Sequence, residues 1–230
     1  MQSLLQKLDS GETRLVESPS PGVKPGHVVI QSRASLVSAG TERMLVEFGK
    51  GNLLQKARQQ PEKVKEVINK VKTDGLFPTI EAVRDKLSKP IPLGYSNAGV
   101  VRDVGDGVED FAPGDRVVSN GPHAEAVCVP ANLCAKIPDD MFVAGEEEQT
   151  GFERAAFTVL GAIALQGVRL AEPTIGETFA VIGLGLVGQL TTQICRANGC
   201  EVIGVDLDAD RVELAEQFGA TGVTPEADPV

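Results

Sequence analysis

The residues with the clearest chemical meaning lie in the last quarter of the chain. An apolar run, Phe179-Ala-Val-Ile182, leads into Gly183-Leu184-Gly185-Leu186-Val187-Gly188, and a second apolar run, Val202-Ile-Gly-Val205, ends on Asp206. A strand, a glycine turn opening a helix, and an acid 23 residues after the first glycine form the pattern that binds a dinucleotide. Gly183 permits the tight turn, Gly185 lets backbone N–H groups reach a pyrophosphate, and Gly188 lets the helix lie close on the strand. Asp206 can accept both hydroxyl protons of an adenosine ribose, and its charge repels a 2′-phosphate. NAD is therefore expected over NADP, although FAD shares the fingerprint.

These residues need elements to hold them. Val187, Leu190 and Ile194 recur at helical spacing, and Asn198-Gly199 is a helix stop. Asp208 can cap a second helix carrying Leu214, Ala215 and Phe218, and Gly222-Val-Thr224 suits a short third strand. Three strands and two helices make one mononucleotide-binding half. Only 24 residues follow Asp206, too few for the second half of a doubly wound domain. The expectation is an N-terminal portion of a larger protein that binds adenine nucleotides weakly and turns over nothing alone. A helix predicted over Phe152–Gln166 would lead into this unit, giving expected domains of 1–150 and 151–230.

Upstream, short β-rich runs alternate with Gly/Pro/Asp turns: His27–Ser32, Gly99–Val104, Asp115–Val118, Glu125–Val129 and Leu133–Ile137. This spacing predicts an irregular antiparallel barrel or sandwich. A helical insertion at about 50–90 interrupts it. Pro61 suits a first helical turn, and Val64, Val67, Ile68 and Val71 form one apolar stripe. A second helix is expected from Thr79, with Ile80, Val83 and Leu87 facing inward. Residues 50–90 hold ten Lys/Arg against five Asp/Glu, a balance of +5, which leaves −15 for the rest of the chain. Either this is a solvated hairpin packed on the β region, or Lys63, Lys65, Lys70 and Lys72 form a basic lid for an anionic substrate.

Composition narrows the classes. A formal charge of −10 and a pI near 4.8 disfavour a general nucleic-acid role. No run approaches the ~20 apolar residues of a membrane span, and the first residues, Met-Gln-Ser-Leu-Leu-Gln-Lys-Leu-Asp, lack a signal-peptide pattern. A cytoplasmic protein is expected. Cys128, Cys134, Cys195 and Cys200 have neither C-x-x-C nor zinc-cluster spacing and read as small apolar residues.

Val104-Gly-Asp-Gly-Val108 followed by Phe111-Ala-Pro-Gly-Asp-Arg-Val117 resembles the signature of the medium-chain dehydrogenase/reductases. In that family a GroES-like barrel precedes a Rossmann domain. Gly94-Tyr95-Ser-Asn-Ala-Gly99 stands where those enzymes carry Gly-His-Glu-x-x-Gly, and Ala39-Gly-Thr-Glu42 where they carry Cys-Gly-Thr-Asp. With the helical insertion, Ser38–Arg43 and Leu93–Val100, the chain looks most like the N-terminal half of bi-domain oxidoreductases. The implied fold is α/β with a β-rich N-terminal part: a GroES-like barrel, then an incomplete Rossmann domain. An attached C-terminal oxidoreductase domain or a homo-oligomer is implied too. The barrel argues against FAD.

In zinc-dependent relatives the Cys and His of those motifs bind the catalytic metal, and a third ligand falls near Ala156. Alanine offers no donor, the structural-zinc lobe is missing, and no zinc is expected. The resemblance then implies an alcohol/carbonyl oxidoreductase that polarises its substrate with hydrogen-bond donors. Tyr95, the only tyrosine, is either such a donor or a half-buried ring with its hydroxyl at the surface. Thr41 matches the hydroxyl that relays protons in the zinc enzymes. His123, after Gly121-Pro122, is a third catalytic candidate, with a surface-loop histidine as its plain alternative. Glu42 and Arg43 are expected to pair and hold their loop, and His27 is read as structural. Arg211 matches a basic residue that contacts the ribose in relatives, which keeps NADP as the alternative cofactor. Two other readings stand beside the enzyme: a non-catalytic, nucleotide-responsive or scaffolding domain, and an NADPH-preferring quinone-reductase type, against which Asp206 speaks.

Overall fold

Valine-rich runs with turns at their ends form strands, and the computed structural model arranges them in three sheets. It describes residues 1–51, 58, 61–74, 78, 83, 85 and 87–225. The chain divides into two compact units, Met1–Glu153 and Arg154–Val230.

In the first unit β1 (Gln2–Lys7), β2 (Thr13–Glu17) and β4 (Pro90–Pro92) form a small sheet of order β2-β1-β4. The larger sheet has the order β7-β3-β5-β6-β8, built from β3 (His27–Ser35), β5 (Asn97–Val104), β6 (Arg116–Ser119), β7 (Ala126–Pro130) and β8 (Cys134–Lys136). Val28, Ile30, Val101, Val117, Val127 and Val129 meet on one face as its core. Every pairing in this sheet is antiparallel, and the consecutive Val28, Val29 and Ile30 of β3 are all fully buried, so this interior strand is covered on both faces. The expected barrel does not close among the described residues, since β7 and β8 are unpaired edges of an open sheet. Register shifts between Val29 and Ile30 and between Ser32 and Ala34 bend β3 against β5 instead. The sequence reading also missed β1 and β4, whose mixed polar and proline residues carry little strand signal.

Asp115, in the Pro-Gly-Asp-Arg-Val motif, has a structural task. Its carboxylate accepts the Ala112 N–H at 2.9 Å and sits 3.0 Å from Lys136 Nζ. Those bonds, the backbone one foremost, hold its pKa below the ordinary value.

Two helical expectations change. Ser38–Arg43 is not a loop, because α1 covers Ala39–Lys50. The insertion does contain a helix, α2 (Pro61–Asp74), with Val64 and Val67 half-buried. Of the second insertion helix, Thr79 and Ile80 lie outside the described residues, while Val83 and Leu87 are helical and half-buried. The single helix expected over Phe152–Gln166 is two, α3 (Glu148–Ala155) and α4 (Thr158–Ala171), with a turn at Ala156–Phe157. By length and composition the 24 residues Glu148–Ala171 would pass for a membrane span. A turn at Ala156–Phe157 interrupts that length, and Phe152, Ala155, Leu160, Ala164 and Val168 are buried within the protein.

The second unit holds a parallel sheet of order β11-β10-β9, from β9 (Thr178–Ile182), β10 (Glu201–Val205) and β11 (Thr221–Val223). Helices α5 (Leu186–Ala197) and α6 (Ala209–Gln217) connect them. This is the βαβαβ order the sequence predicts, with Asp208 capping α6 by accepting the Asp210 N–H at 3.2 Å. The buried faces differ from expectation. On α5 they are Gln189, Thr192 and Cys195, with Leu190 and Ile194 only half-buried and Val187 exposed; on α6 they are Val212 and Ala215, with Leu214 and Phe218 exposed. Gln189 is buried with its amide donating to Leu184 O at 3.2 Å and Arg211 O at 2.7 Å, a partnering that a count of apolar residues cannot detect.

Candidate functional site

The cofactor-type residues of the second unit come together at the ends of β9 and β10. Gly183 turns with φ +91°. A Cβ on Gly188 would run into the Gly183 carbonyl, so only glycine allows α5 to start there. Gly185 is the N-cap of α5 and no side chain caps it. The first-turn N–H groups at Leu186 and Val187 therefore have no competing side-chain oxygen at the cap, as an anion-binding helix start requires.

Asp206 completes the arrangement. Its Oδ2 accepts the Leu184 N–H at 2.6 Å and its Oδ1 the Asp208 N–H at 3.0 Å. Backbone donation from Asp208, then from Leu184, holds its carboxyl below the usual range and keeps it ionised. Each oxygen retains lone pairs for a diol. Arg211 lies 3.8 Å from Asp206 and 3.2 Å from Asp208, drawn between two acids while remaining half exposed. The glycine cradle and the acid at the strand end fit a nicotinamide dinucleotide.

The catalytic-type residues gather in the first unit around α1. Glu42 turns inward, where its Oε1 accepts the Ser38 N–H at 2.8 Å. Its Oε2 lies 3.0 Å from His123 Nε2, and His123 Nδ1 lies 2.9 Å from Ser35 Oγ. The side chains of His123 and Glu42 are only 9% and 6% exposed, so His123 is no surface-loop residue. Its backbone is anchored too, its N–H donating to Leu93 O at 2.8 Å and its carbonyl accepting from Leu4 N–H at 2.9 Å. The ring occupies the space a side chain on Gly94 would need, 2.5–2.7 Å from the position of that Cβ. Gly94 has φ +93°, a conformation that favours glycine independently.

Next along the chain, the Tyr95 hydroxyl donates to Thr41 Oγ1 at 3.4 Å. That exceeds the ~2.7–2.8 Å typical of O–H···O bonds, so the phenol is oriented but not committed. The expected Glu42–Arg43 pair does not form. Arg43 instead pairs with Glu47 at 2.7 Å, one turn along the exposed face of α1, while Glu42 points the other way. Glu42, Ser35 and Ser38 were missed as site residues. The available signal was Ser38, a good N-cap residue, four positions before an acid at the head of an apolar-periodic segment. The His27 ring lies 2.8 Å from Pro25 O, and its backbone bonds Lys24 O and the Gly105 N–H.

Ala39, Tyr95 and the buried Ala156 are the positions that the resemblance implies for zinc ligands. Two alanines supply no donor atom, and among the described residues no three His, Cys, Asp or Glu side chains group around a common point. This donor set does not fit zinc. The four cysteines are free thiols; burial pushes Cys134 up to about 11 and raises Cys195, which leaves both protonated at neutral pH. A groove of about 430 Å³ lies between α4 and α5, lined by Leu165, Val168, Ile194 and Ala197 among others. It sits at the C-terminal end of α5, opposite the phosphate turn.

Comparison with known proteins places this geometry. The alcohol dehydrogenase GroES-like domain matches residues 64–139, and the zinc-binding dehydrogenase family matches residues 187–229. These matches and the fold agree with the resemblance to the medium-chain dehydrogenase/reductases. Among curated relatives, (R,R)-butanediol dehydrogenase of Bacillus subtilis (strain 168) is 29% identical over 164 residues, which are 59% of this chain and 45% of that protein. The chain thus matches less than half the length of this relative. Among solved structures, galactitol-1-phosphate dehydrogenase from Escherichia coli superposes with a TM-score of 0.70 at 20% identity, covering 99% of this chain and 62% of that one. The Escherichia coli quinone oxidoreductase complexed with NADPH has a TM-score of 0.69 at 20% identity over 99% of this chain and 60% of that one. At these identities the likeness is one of fold.

Proposed function

We propose that the chain carries the cofactor turn and the substrate-polarising hydroxyls of a zinc-independent, NAD-dependent oxidoreductase acting on an alcohol or carbonyl. The observation that carries this reading is Asp206, ionised and held by two backbone N–H groups beside the Gly183–Gly188 turn. A bound nicotinamide supplies or accepts the hydride. The chain's own residues do the rest. The α5 N-terminus and its turn hold the pyrophosphate, and Asp206 takes the ribose hydroxyls. Tyr95 donates to the substrate oxygen, and Thr41, beside it, orients the phenol and offers the next position for the proton. An anionic substrate is part of the proposal, from the basic balance of residues 50–90. Lys65, bound to Glu62 at 2.9 Å, is already partly neutralised and contributes less than its charge suggests.

The test is a calorimetric titration of the ordered chain with NADH and, separately, NADPH. Tighter NADH binding, reduced in Asp206→Ala, is the expected result. Preference for NADPH would transfer the discrimination to Arg211, whose exposed guanidinium is the one cation beside Asp206 among the described residues. The specific observation behind a second reading, a non-catalytic nucleotide-responsive domain, is the pair of alanines at matched ligand positions. No binding by an ordered chain would put that reading first.

A further inference from the structure

We propose that Glu42 and His123 form a positioning couple that sets the register of Thr41 and Tyr95, the two hydroxyls assigned above to the substrate. This rests on that assignment for its functional meaning, but not for its test.

Four segments converge on the couple. Ser35 brings the end of β3, Ser38 and Glu42 the start of α1, Gly94 the turn after β4, and His123 the loop between β6 and β7. Thr41 is the covalent neighbour of Glu42, and Tyr95 that of Gly94. Fixing the carboxylate and the ring therefore fixes both hydroxyls from behind. The hydroxyls cannot do this for themselves, because their own contact, at 3.4 Å, is too long to resist drift. A carboxylate 6% exposed is tolerated only when its oxygens are occupied, and both are, one by a backbone N–H and one by the imidazole. With both its nitrogens bonded, the ring has none free to take a substrate proton. His123, a catalytic candidate by sequence, acts here through its neighbours.

The chain has one tyrosine and no tryptophan. The near-ultraviolet tyrosine band and the ring resonances of isotope-labelled tyrosine therefore report Tyr95 alone, with no substrate or cofactor present. In Glu42→Ala, with far-ultraviolet circular dichroism unchanged, the Tyr95 resonances should move towards those of free tyrosine and the near-ultraviolet band should weaken. Glu42→Gln, which keeps an acceptor for Ser38 N–H and a partner for His123, should restore most of the wild-type signal. Glu47→Ala, on the exposed face of the same helix, should change nothing. Should Glu42→Ala fail to fold, His123→Phe decides in its place, because it fills the space against Gly94 while removing both ring hydrogen bonds. Tyr95 signals identical to wild type in either folded variant overturn the couple. Failure of the catalytic assignment would be seen separately, as unchanged turnover in Tyr95→Phe with this spectroscopic result intact.

Discussion

Replacing Gly188 by alanine tests the cofactor turn at its tightest point. The added Cβ would lie against the Gly183 carbonyl oxygen, well over an ångström inside the 3.4 Å at which ordinary contact begins, and 3.0 Å from the carbonyl carbon. The obstacle is backbone in a turn with φ +91°, so no side-chain rotation relieves it and α5 must retreat by more than an ångström. Overpacking of this kind costs ~1–3 kcal/mol. For a unit of this size each kcal/mol is worth about 4–8 °C, which predicts a fall of roughly 5–20 °C in its unfolding midpoint. The same retreat carries the first-turn N–H groups away from the pyrophosphate, and NADH binding should weaken by at least ~10-fold, about 1.4 kcal/mol. Thermal unfolding with and without NADH, together with calorimetry, measures both effects. A Gly188→Ala protein with wild-type midpoint and wild-type affinity would refute the reasoning, since α5 would then not lie where the turn holds it.

Other outcomes follow from the same geometry. The folded pKa values of Asp115 and Asp206 lie below the ordinary ~3.9, so their stabilisation is present above about pH 4 and is lost as pH falls through the lowered values. Asp115→Asn and Asp206→Asn should each unfold earlier than wild type at pH 7, and the gap should narrow as pH falls below 4; a constant gap would contradict the backbone-bonded carboxylates. In a turnover-competent form of the protein, Tyr95→Phe should lower kcat by roughly 10²-fold with little change in KM, as loss of a donor to the developing charge does. Metal analysis of protein dialysed against a weak chelator should find no stoichiometric zinc, and one retained equivalent would defeat the zinc-independent proposal.

Much of the second unit was legible in the sequence. Its parallel strands are apolar runs with glycine punctuation, and the turn residues are constrained by backbone geometry that few residue types satisfy. Asp206 and Asp208 are local features, a strand end and a helix cap, so spacing alone places them. The first unit was less legible because its site is assembled from distant segments. Thr41 and Tyr95 are 54 residues apart, and Glu42 and His123 are 81 apart. The Glu42–Arg43 expectation failed because adjacent residues on a helix point in different directions, and α1 itself was hidden by Gly40 in its first turn.

The sequence by itself determined the βαβαβ order, the glycine cradle and the acid that follows it, because strand period, turn chemistry and capping act within a few residues. Tertiary structure decided that the β region is an open five-stranded sheet beside a small three-stranded one, that α5 buries Gln189 and Thr192 in place of its larger apolar residues, and that His123 is a buried partner of Glu42. Those outcomes depend on which segments meet across the fold. Burial and charge pairing are properties of that meeting, and no local pattern in the chain encodes them.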